Sequence, residues 1–496
     1  MTTFALLFLL ACTGDKDTGS DTSGDGGTSD GGTSDGGTSD GGTSDGGGGD
    51  GGATTADAYA FESAFQPGVS SVSNDGQIMR HLLIDDLSTH LGGITARIDA
   101  GTFFPVAGDV KSELLFYFEF DSSTSGLVAP LKSTDPAPAQ ATYDEVSTGK
   151  NLKDKLAGND SSTDHKDWSS EFVGWSDPGV SSPESLVLAW IDMIDAAAVD
   201  RANGNIPLDP TGAPLSAIYL TADGQDLNQL LNKFLRGGVA FSQGTDDYLD
   251  DDVDGKGLLA DHSAADGDEA WTPLEHQWDE GFGYFGAART YGSWSDELIA
   301  DTAYEDVNGD GKIDLLSEVS WGHSTNAAKR DRGASKTAPM DLTAQAWDGF
   351  YLGRALLSST AGTALTTAQL DELKGYRDQA EQAWELAIAT TVVHYINDTL
   401  QDMGTIGTPD YSFADHAKHW SEGKGFALGL QFNPRSPLSD ADFALVHELL
   451  GDAPVLTGSS ELEAYAEDLR EARAILGAAY GIDASNLGDD DGTNGL

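Results

Sequence analysis

The chain has 496 residues, with 27 Lys and Arg against 82 Asp and Glu, a formal charge of −55 and a single cysteine. Such a charge disfavours binding to nucleic acid or to an anionic membrane face, and one cysteine excludes both an internal disulfide framework and any cysteine-built zinc site. The length allows two or three ordinary domains, and no apolar run reaches the roughly 18 residues that a spanning helix needs.

Phe4 to Ala11 is unbroken apolar sequence, and Leu9-Leu10-Ala11-Cys12 follows the pattern Leu-x-small-Cys. This resembles the lipobox of bacterial lipoproteins, which implies cleavage before Cys12 and acylation of its thiol. Met1-Thr2-Thr3 departs from such leaders in carrying no basic residue. From Thr13 to Ala56 the chain is mostly Gly, Ser, Thr and Asp, with Thr-Ser-Asp-Gly-Gly repeated four times between Thr28 and Gly47. Nothing in it can be buried, so nothing offsets the entropy of ordering, and a disordered acidic tether is expected. A glycine-rich coil of this length reaches roughly 35–40 Å. The repeats lack the apolar residue that a calcium β-roll needs. Gly32-Thr33-Ser34-Asp35-Gly36 matches a nucleophile elbow only by composition.

The body, 57–488, reads as helical. Ser182-Pro183 is an N-cap with proline at the first helical position, followed by an apolar stripe of Leu186, Ala189, Trp190, Met193, Ile194 and Ala197. Leu227, Leu230, Leu231 and Phe234 repeat the pattern before Gly237-Gly238, where the helix is expected to stop. Asp250-Asp251-Asp252-Val253-Asp254-Gly255 reads as a solvated acidic loop and a weak cation site. One long helix is expected from Thr366 to about Leu400, another from Ser439 to Gly451, and a last one opened by a capping box of Ser460 and Glu463. Glu113 to Phe120 is ambiguous between helix and strand, and 489–496 is expected to be a disordered tail. The fold class is all-α, with two bundle halves meeting near 330–360.

Asp306-Val307-Asn308-Gly309-Asp310-Gly311-Lys312-Ile313-Asp314 has the spacing of an EF-hand-type calcium loop. Asp306, Asn308, Asp310 and Asp314 supply side-chain oxygens, Lys312 its carbonyl, and Gly311 the sharp bend. Position 12 is Ser317 and the acid falls one place later, at Glu318, which implies a weak affinity of roughly 0.1–1 mM. The alternative is an ordinary Asn-Gly/Asp-Gly turn.

Two further segments share Trp-x-Glu-Gly-x-Gly-Tyr/Phe, at Trp278 and at Trp420. Each sets a histidine and acids on one helical face: His276 with Asp279 and Glu280, and His419 with Asp415 and Glu422. A carboxylate near the negative end of a helix is unfavourable unless a bound cation or a buried arginine sits beside it. Imidazole with carboxylate suits iron or zinc; the plainer alternative is a satisfied polar cluster, with the tryptophans in the core and the glycines allowing close helix contact. No His-Glu-x-x-His helix or P-loop occurs. Gly281 to Gly286 fits a dinucleotide fingerprint but follows a helix-like segment instead of a strand.

His276 to Gly286 and His416 to Ala427, with Val72-Ser73-Asn74-Asp75-Gly76-Gln77 and His394-Tyr395-Ile396-Asn397, resemble an uncharacterised bacterial lipoprotein family, domain of unknown function 4856. The resemblance runs from about Tyr59 to Tyr480. More distantly, His419-Trp420-Ser421-Glu422 is similar to the His-x-x-Glu of imelysin-like proteins, although Ala417 stands where those have glycine. The resemblance implies a helical protein of two bundle halves outside the cytoplasm, associated with iron uptake or peptidase activity. Three functions are therefore open. One is a lipid-anchored protein that binds a metal or a metal-bearing ligand in iron acquisition. Another is a metallopeptidase with Glu280 or Glu422 as general base. The third is a non-catalytic adhesion or scaffold protein with a structural calcium site. Thr13 after Cys12 favours the outer membrane as location, with the lipid anchor as the only membrane contact.

Overall fold

The computed structural model describes residues 58–120, 137–160, 164–177, 179–457 and 459–496. The chain divides into two units, Met1–Thr55 and Ala56–Leu496; the first, with the lipobox, Cys12 and the tether, lies outside the described residues.

The second unit is helical, as its sequence pattern requires: α1 (Asp75–Asp99), α2 (Asp109–Phe118), α3 (Tyr143–Val146), α4 (Pro183–Ala202), α5 (Leu227–Leu235), α6 (Pro273–Phe285) and α7 (Asp296–Asp301), then α8 (His323–Gly333), α9 (Leu342–Thr360), α10 (Thr367–Thr405), α11 (Phe413–Gly429), α12 (Asp440–Leu450), α13 (Ser459–Tyr480) and α14 (Ala484–Leu487). The one described sheet is a parallel pair of two-residue strands, β1 (Ala137–Pro138) and β2 (Lys312–Ile313). The long α10 is the spine, packed along α9 and α11 and also against α8 and α13. No described helix is long and apolar enough to cross a membrane.

Local sequence accounts for most of the boundaries. Ser182 accepts from the Ser185 amide, with Pro183 at the first position of α4. Thr272 and Glu275 form a reciprocal capping box on α6, as do Thr366 and Gln369 on α10. Ser439 caps α12, which ends at Gly451, where φ is 70° and glycine alone is unstrained. The ambiguous stretch Glu113 to Phe120 belongs mainly to α2.

Four expectations are corrected. The buried face of α4 is Leu186, Val187, Trp190, Ile191, Ile194 and Ala198, while Met193 is exposed; the stripe is rotated by a fraction of a turn toward the neighbours that cover it. Gly237-Gly238 does not stop the chain's helical course, which continues as π-helix over Arg236–Phe241 and again over Gly244–Tyr248. The glycines are there for contact: a Cβ on Gly237 would lie 2.7 Å from the Gly429 Cα, and one on Gly238 2.9 Å from Leu156. Ser460 lies inside α13 and its hydroxyl donates to Glu461 instead of forming a box with Glu463; α14 follows it. The tail at 489–496 is folded back, with Leu487 bridged to Gly495, the Asp489 carboxylate accepting from Thr493 and Asn494, and Leu496 buried.

Candidate functional site

The two tryptophan segments occupy α6 and α11 and are built alike. Trp278 and Trp420 are buried, and each indole N–H donates to a main-chain carbonyl, of Phe350 at 2.9 Å and of Leu450 at 3.2 Å. In each, the second glycine admits another helix. A Cβ on Gly283 would lie 2.7 Å from the Asn74 Cβ at the start of α1, and one on Gly425 2.8 Å from the Lys233 Cβ of α5. The shared sequence thus encodes shared packing.

The ionisable groups do not follow that parallel. On α6, Asp279 is fully buried and accepts from Arg354 Nε at 2.8 Å and from the Tyr59 hydroxyl at 2.8 Å. Arg354, itself fully buried, also reaches Glu275 at 2.7 Å and Ser71. Burial pushes the Asp279 carboxyl up, and the Arg354 charge and hydrogen bond pull it back. Glu280 turns elsewhere, accepting from the Gln77 amide at 2.8 Å with His276 Nε2 at 3.8 Å. The His276 ring stacks on Trp271. The expected set of His276, Asp279 and Glu280 is therefore divided: Asp279 belongs to an internal arginine network, and that network is the buried-arginine alternative.

On α11 the division is different. Asp415 is exposed in the first turn, away from the buried side of the helix. Glu422 is nearly buried; its Oε1 lies 3.2 Å from Lys233 Nζ, whereas its Oε2 has no hydrogen-bond partner. His419 Nδ1 is 2.8 Å from Asp402 Oδ2 on α10. Burial works against protonation of this ring, but the Asp402 hydrogen bond and charge, with Asp398 and Glu422 beyond, hold its pKa above the ordinary histidine value. His416 is buried next to Tyr411 and burial lowers its pKa to about 4. Asp402 is the partner that sequence reasoning missed. Its signal was present: His394, Asp398 and Asp402 are spaced four apart on α10, so they share one helical face, and His394 Nε2 lies 3.3 Å from Asp398.

Further inside, Lys233 and Arg236 bring two cations to the junction of α1, α5 and α11. Arg236 pairs with Asp85 at 2.7 Å, and burial lowers Lys233 to about 8. His81 and His323 lie within their field, and burial first, then the Arg236 charge, depresses both rings. The His323 Nε2 is buried without a partner.

The 306–318 loop closes on itself. Asp306 accepts the amides of Gly309, Asp310 and Gly311. Asn308 and Asp310 each accept an amide two residues on, and Gly309 and Gly311 take positive φ of 71° and 80°, where only glycine is unstrained. Asp314 accepts from Gln140 and Ser317. Glu318, only 3 % exposed, accepts from Val307, Asn308 and Asp314. The acid displaced from position 12 is thus used as the anchor of the loop, while the Lys312 side chain is exposed. The 250–255 segment is only partly the solvated acidic loop expected: Asp252, Asp254 and Gly255 are exposed, but Asp250 is buried against Arg435, and Asp251 pairs with Lys374 and Arg377. Among the described residues no group of three or more His, Cys, Asp or Glu is gathered as a metal-ligand set.

No curated protein and no solved structure matches the chain. Residues 131–311, which take in β1, α3 to α7 and the start of the 306–318 loop but stop short of α11, match the family described as a domain of unknown function, DUF4856.

Proposed function

We propose that the protein is a lipid-anchored, extracytoplasmic helical protein, in two imelysin-like bundle halves, that binds a metal cation at the α10–α11 face and so serves metal, in the first instance iron, acquisition. The observation that carries this reading is the Asp402–His419 pair at 2.8 Å. Metal-ligating histidines characteristically donate their second ring N–H to a carboxylate, which fixes the tautomer and raises the basicity of the other nitrogen. With Nδ1 committed to Asp402, the His419 Nε2 lone pair is the ligand, and Asp398 and Glu422, whose charges act on the ring, with His394 beside Asp398, are the further donors. These groups are not gathered round one point, so binding iron or zinc would need Glu422 to leave Lys233 or Asp398 to swing toward His419. The doubled tryptophan packing supports the two halves, and the lipobox supports anchoring at the outer membrane.

A metal inventory of the full-length chain, extracted in detergent and carrying no histidine tag, tests this. Stoichiometric iron or zinc that falls at least tenfold in His419→Ala and Asp402→Ala is expected. Retention of no transition metal, or retention unchanged in both variants, would refute it. Chelator-sensitive cleavage of an unfolded protein substrate, lost in Glu422→Ala, would point instead to the peptidase reading.

The folded 306–318 loop favours one second reading, a structural calcium site. Asp306, Asn308, Asp310 and Asp314 supply the oxygens and the Lys312 carbonyl a further one. Calcium at millimolar concentration should raise the melting temperature, and Asp306→Ala should abolish that rise. An equal rise in the variant excludes the site.

A further inference from the structure

The apolar stripes of α10 and α13 run on past the point where the two helices cover each other. On α13, Leu469, Ala472 and Leu476 are fully buried. The same face continues toward the N-terminus at Ala466 and Leu462, and both are only partly covered. On α10, Ile396 and Leu400 are buried, and Met403, the next residue of that face, is again only partly covered. Between these ends lies a groove open to solvent, with a volume of about 320 Å³ and with Leu400, Met403, Leu462 and Ala466 in its lining. Such a volume is at the small end of the roughly 300–1,000 Å³ that small-molecule sites span.

The third wall is the folded-back C-terminal segment, and it is held firmly. Arg470 Nε of α13 donates to the Asp490 carbonyl at 2.7 Å, and Arg473 to the Asp489 carbonyl at 2.8 Å. Gln401 of α10 donates to the Gly492 carbonyl at 3.0 Å. Gly492, at φ 83°, sits so close to α10 that a Cβ would lie 2.2 Å from the Asn397 carbonyl oxygen. The wall is thus in place before any ligand arrives, so binding has little chain to order.

Glu463, Asp490 and Asp491 complete the lining, and all three are exposed. Among the described residues no Lys or Arg forms an ion pair with any of them. Arg470, the one basic residue of the lining, is engaged by the Asp490 carbonyl and by the Glu467 carboxylate at 2.8 Å. Apolar walls beneath uncompensated carboxylates complement a molecule with a hydrocarbon body and a single positive head, and repel an anion of the same shape. We propose that this groove binds a small apolar ammonium compound, its hydrocarbon part against Leu400, Met403, Leu462 and Ala466 and its charge among Glu463, Asp490 and Asp491. A net charge of −55 draws any cation toward the chain; selection comes from the apolar walls and the acids meeting at one place.

The test is calorimetric titration of the full-length chain at neutral pH and physiological salt with three probes of one shape: phenylbutylamine, phenylbutanol and phenylbutyrate. The amine should bind with one-to-one stoichiometry and about tenfold more tightly than the alcohol, and the carboxylate should not bind measurably. Glu463→Gln with Asp491→Asn, both at exposed positions, should bring the amine down to the affinity of the alcohol. Ala466→Trp, which fills the groove, should abolish binding of both. Equal affinity for amine and alcohol, or an amine affinity unchanged in both variants, overturns the proposal, the latter marking diffuse attraction to an acidic surface. Self-association of the parent that disappears in Ala466→Trp also overturns it, because the groove would then be filled by a second copy of the chain.

Discussion

Replacing Arg354 by methionine should damage this protein more than any surface change, in a manner that depends on pH. The guanidinium is fully buried and joins Asp279, Glu275 and Ser71, three side chains from two separate parts of the chain. Methionine fills most of the volume but leaves two carboxylates, 0 % and 2 % exposed, without their cation. Removing one partner of a buried pair costs about 3–5 kcal/mol, and here two anions are stranded, so the upper end is expected. Part of the loss is recovered if the acids take up protons. Burial already pushes Asp279 up and Arg354 opposes it, so the variant's folded-state pKa must rise further above the unfolded value. A carboxyl with a raised folded-state pKa binds more protons folded than unfolded, and stability then falls as pH rises from the unfolded towards the folded pKa. Urea unfolding followed by tryptophan fluorescence at pH 5 and pH 8 measures both effects. The deficit against the parent should be about 3–5 kcal/mol at pH 8 and clearly smaller at pH 5. A deficit below about 1 kcal/mol, or one equal at the two pH values, would refute the view that Arg354 neutralises the α6 acids.

Gly353→Ala should be nearly as harmful for a steric reason, since the added Cβ would sit 2.0 Å from Trp278 Cζ2; overpacking of about 1–3 kcal/mol or more is expected, with a shifted tryptophan emission, and native emission with an unchanged unfolding midpoint would contradict it. Asp402→Asn removes the main support of the His419 proton, so the ring's pKa, followed by its NMR titration, should drop from above to below the ordinary histidine value. The same pair contributes stability that is fully present below the unfolded histidine pKa and lost as pH rises through the folded one, so the Asp402→Asn deficit should shrink above neutrality; a deficit that grows with pH would show that the pair is not coupled in this way. Thr272→Ala removes both the α6 cap and the hydroxyl hydrogen-bonded to His262 Nδ1 at 2.8 Å, and about 1–2 kcal/mol of stability should go with them; a loss under half of that would mean that the cap is replaced by other groups.

Helix boundaries were legible because they are chosen locally. Ser182-Pro183, Thr366 with Gln369 and Ser439 before Gly451 decide the ends of α4, α10 and α12 from residues within one turn, and the apolar stripe of α5 decides which face is buried. The likeness of the α6 and α11 segments was legible for the same reason: an indole that must be buried and two glycines that must admit a neighbour are properties of the segment itself. Local sequence failed where a second segment intervenes. Gly237-Gly238 looks like a stop, but its glycines answer to Gly429 and Leu156, far along the chain.

Charged groups depended most on tertiary structure. His276, Asp279 and Glu280 share a helical face in sequence, yet Arg354 from α9 takes Asp279 and Gln77 from α1 takes Glu280. His419 finds its carboxylate on α10 and not in its own segment, and Glu422 meets Lys233 of α5. A carboxylate's partner is whichever donor the packing brings within about 3 Å, and a pattern along one helix cannot name it. Sequence alone therefore determined the helical class, the caps and the repeated tryptophan packing, which are matters of local geometry and burial. Which acids are neutralised internally, which carboxylate a histidine pairs with and which lysine lies buried were decided by the tertiary structure, because charge pairing acts through space across helices.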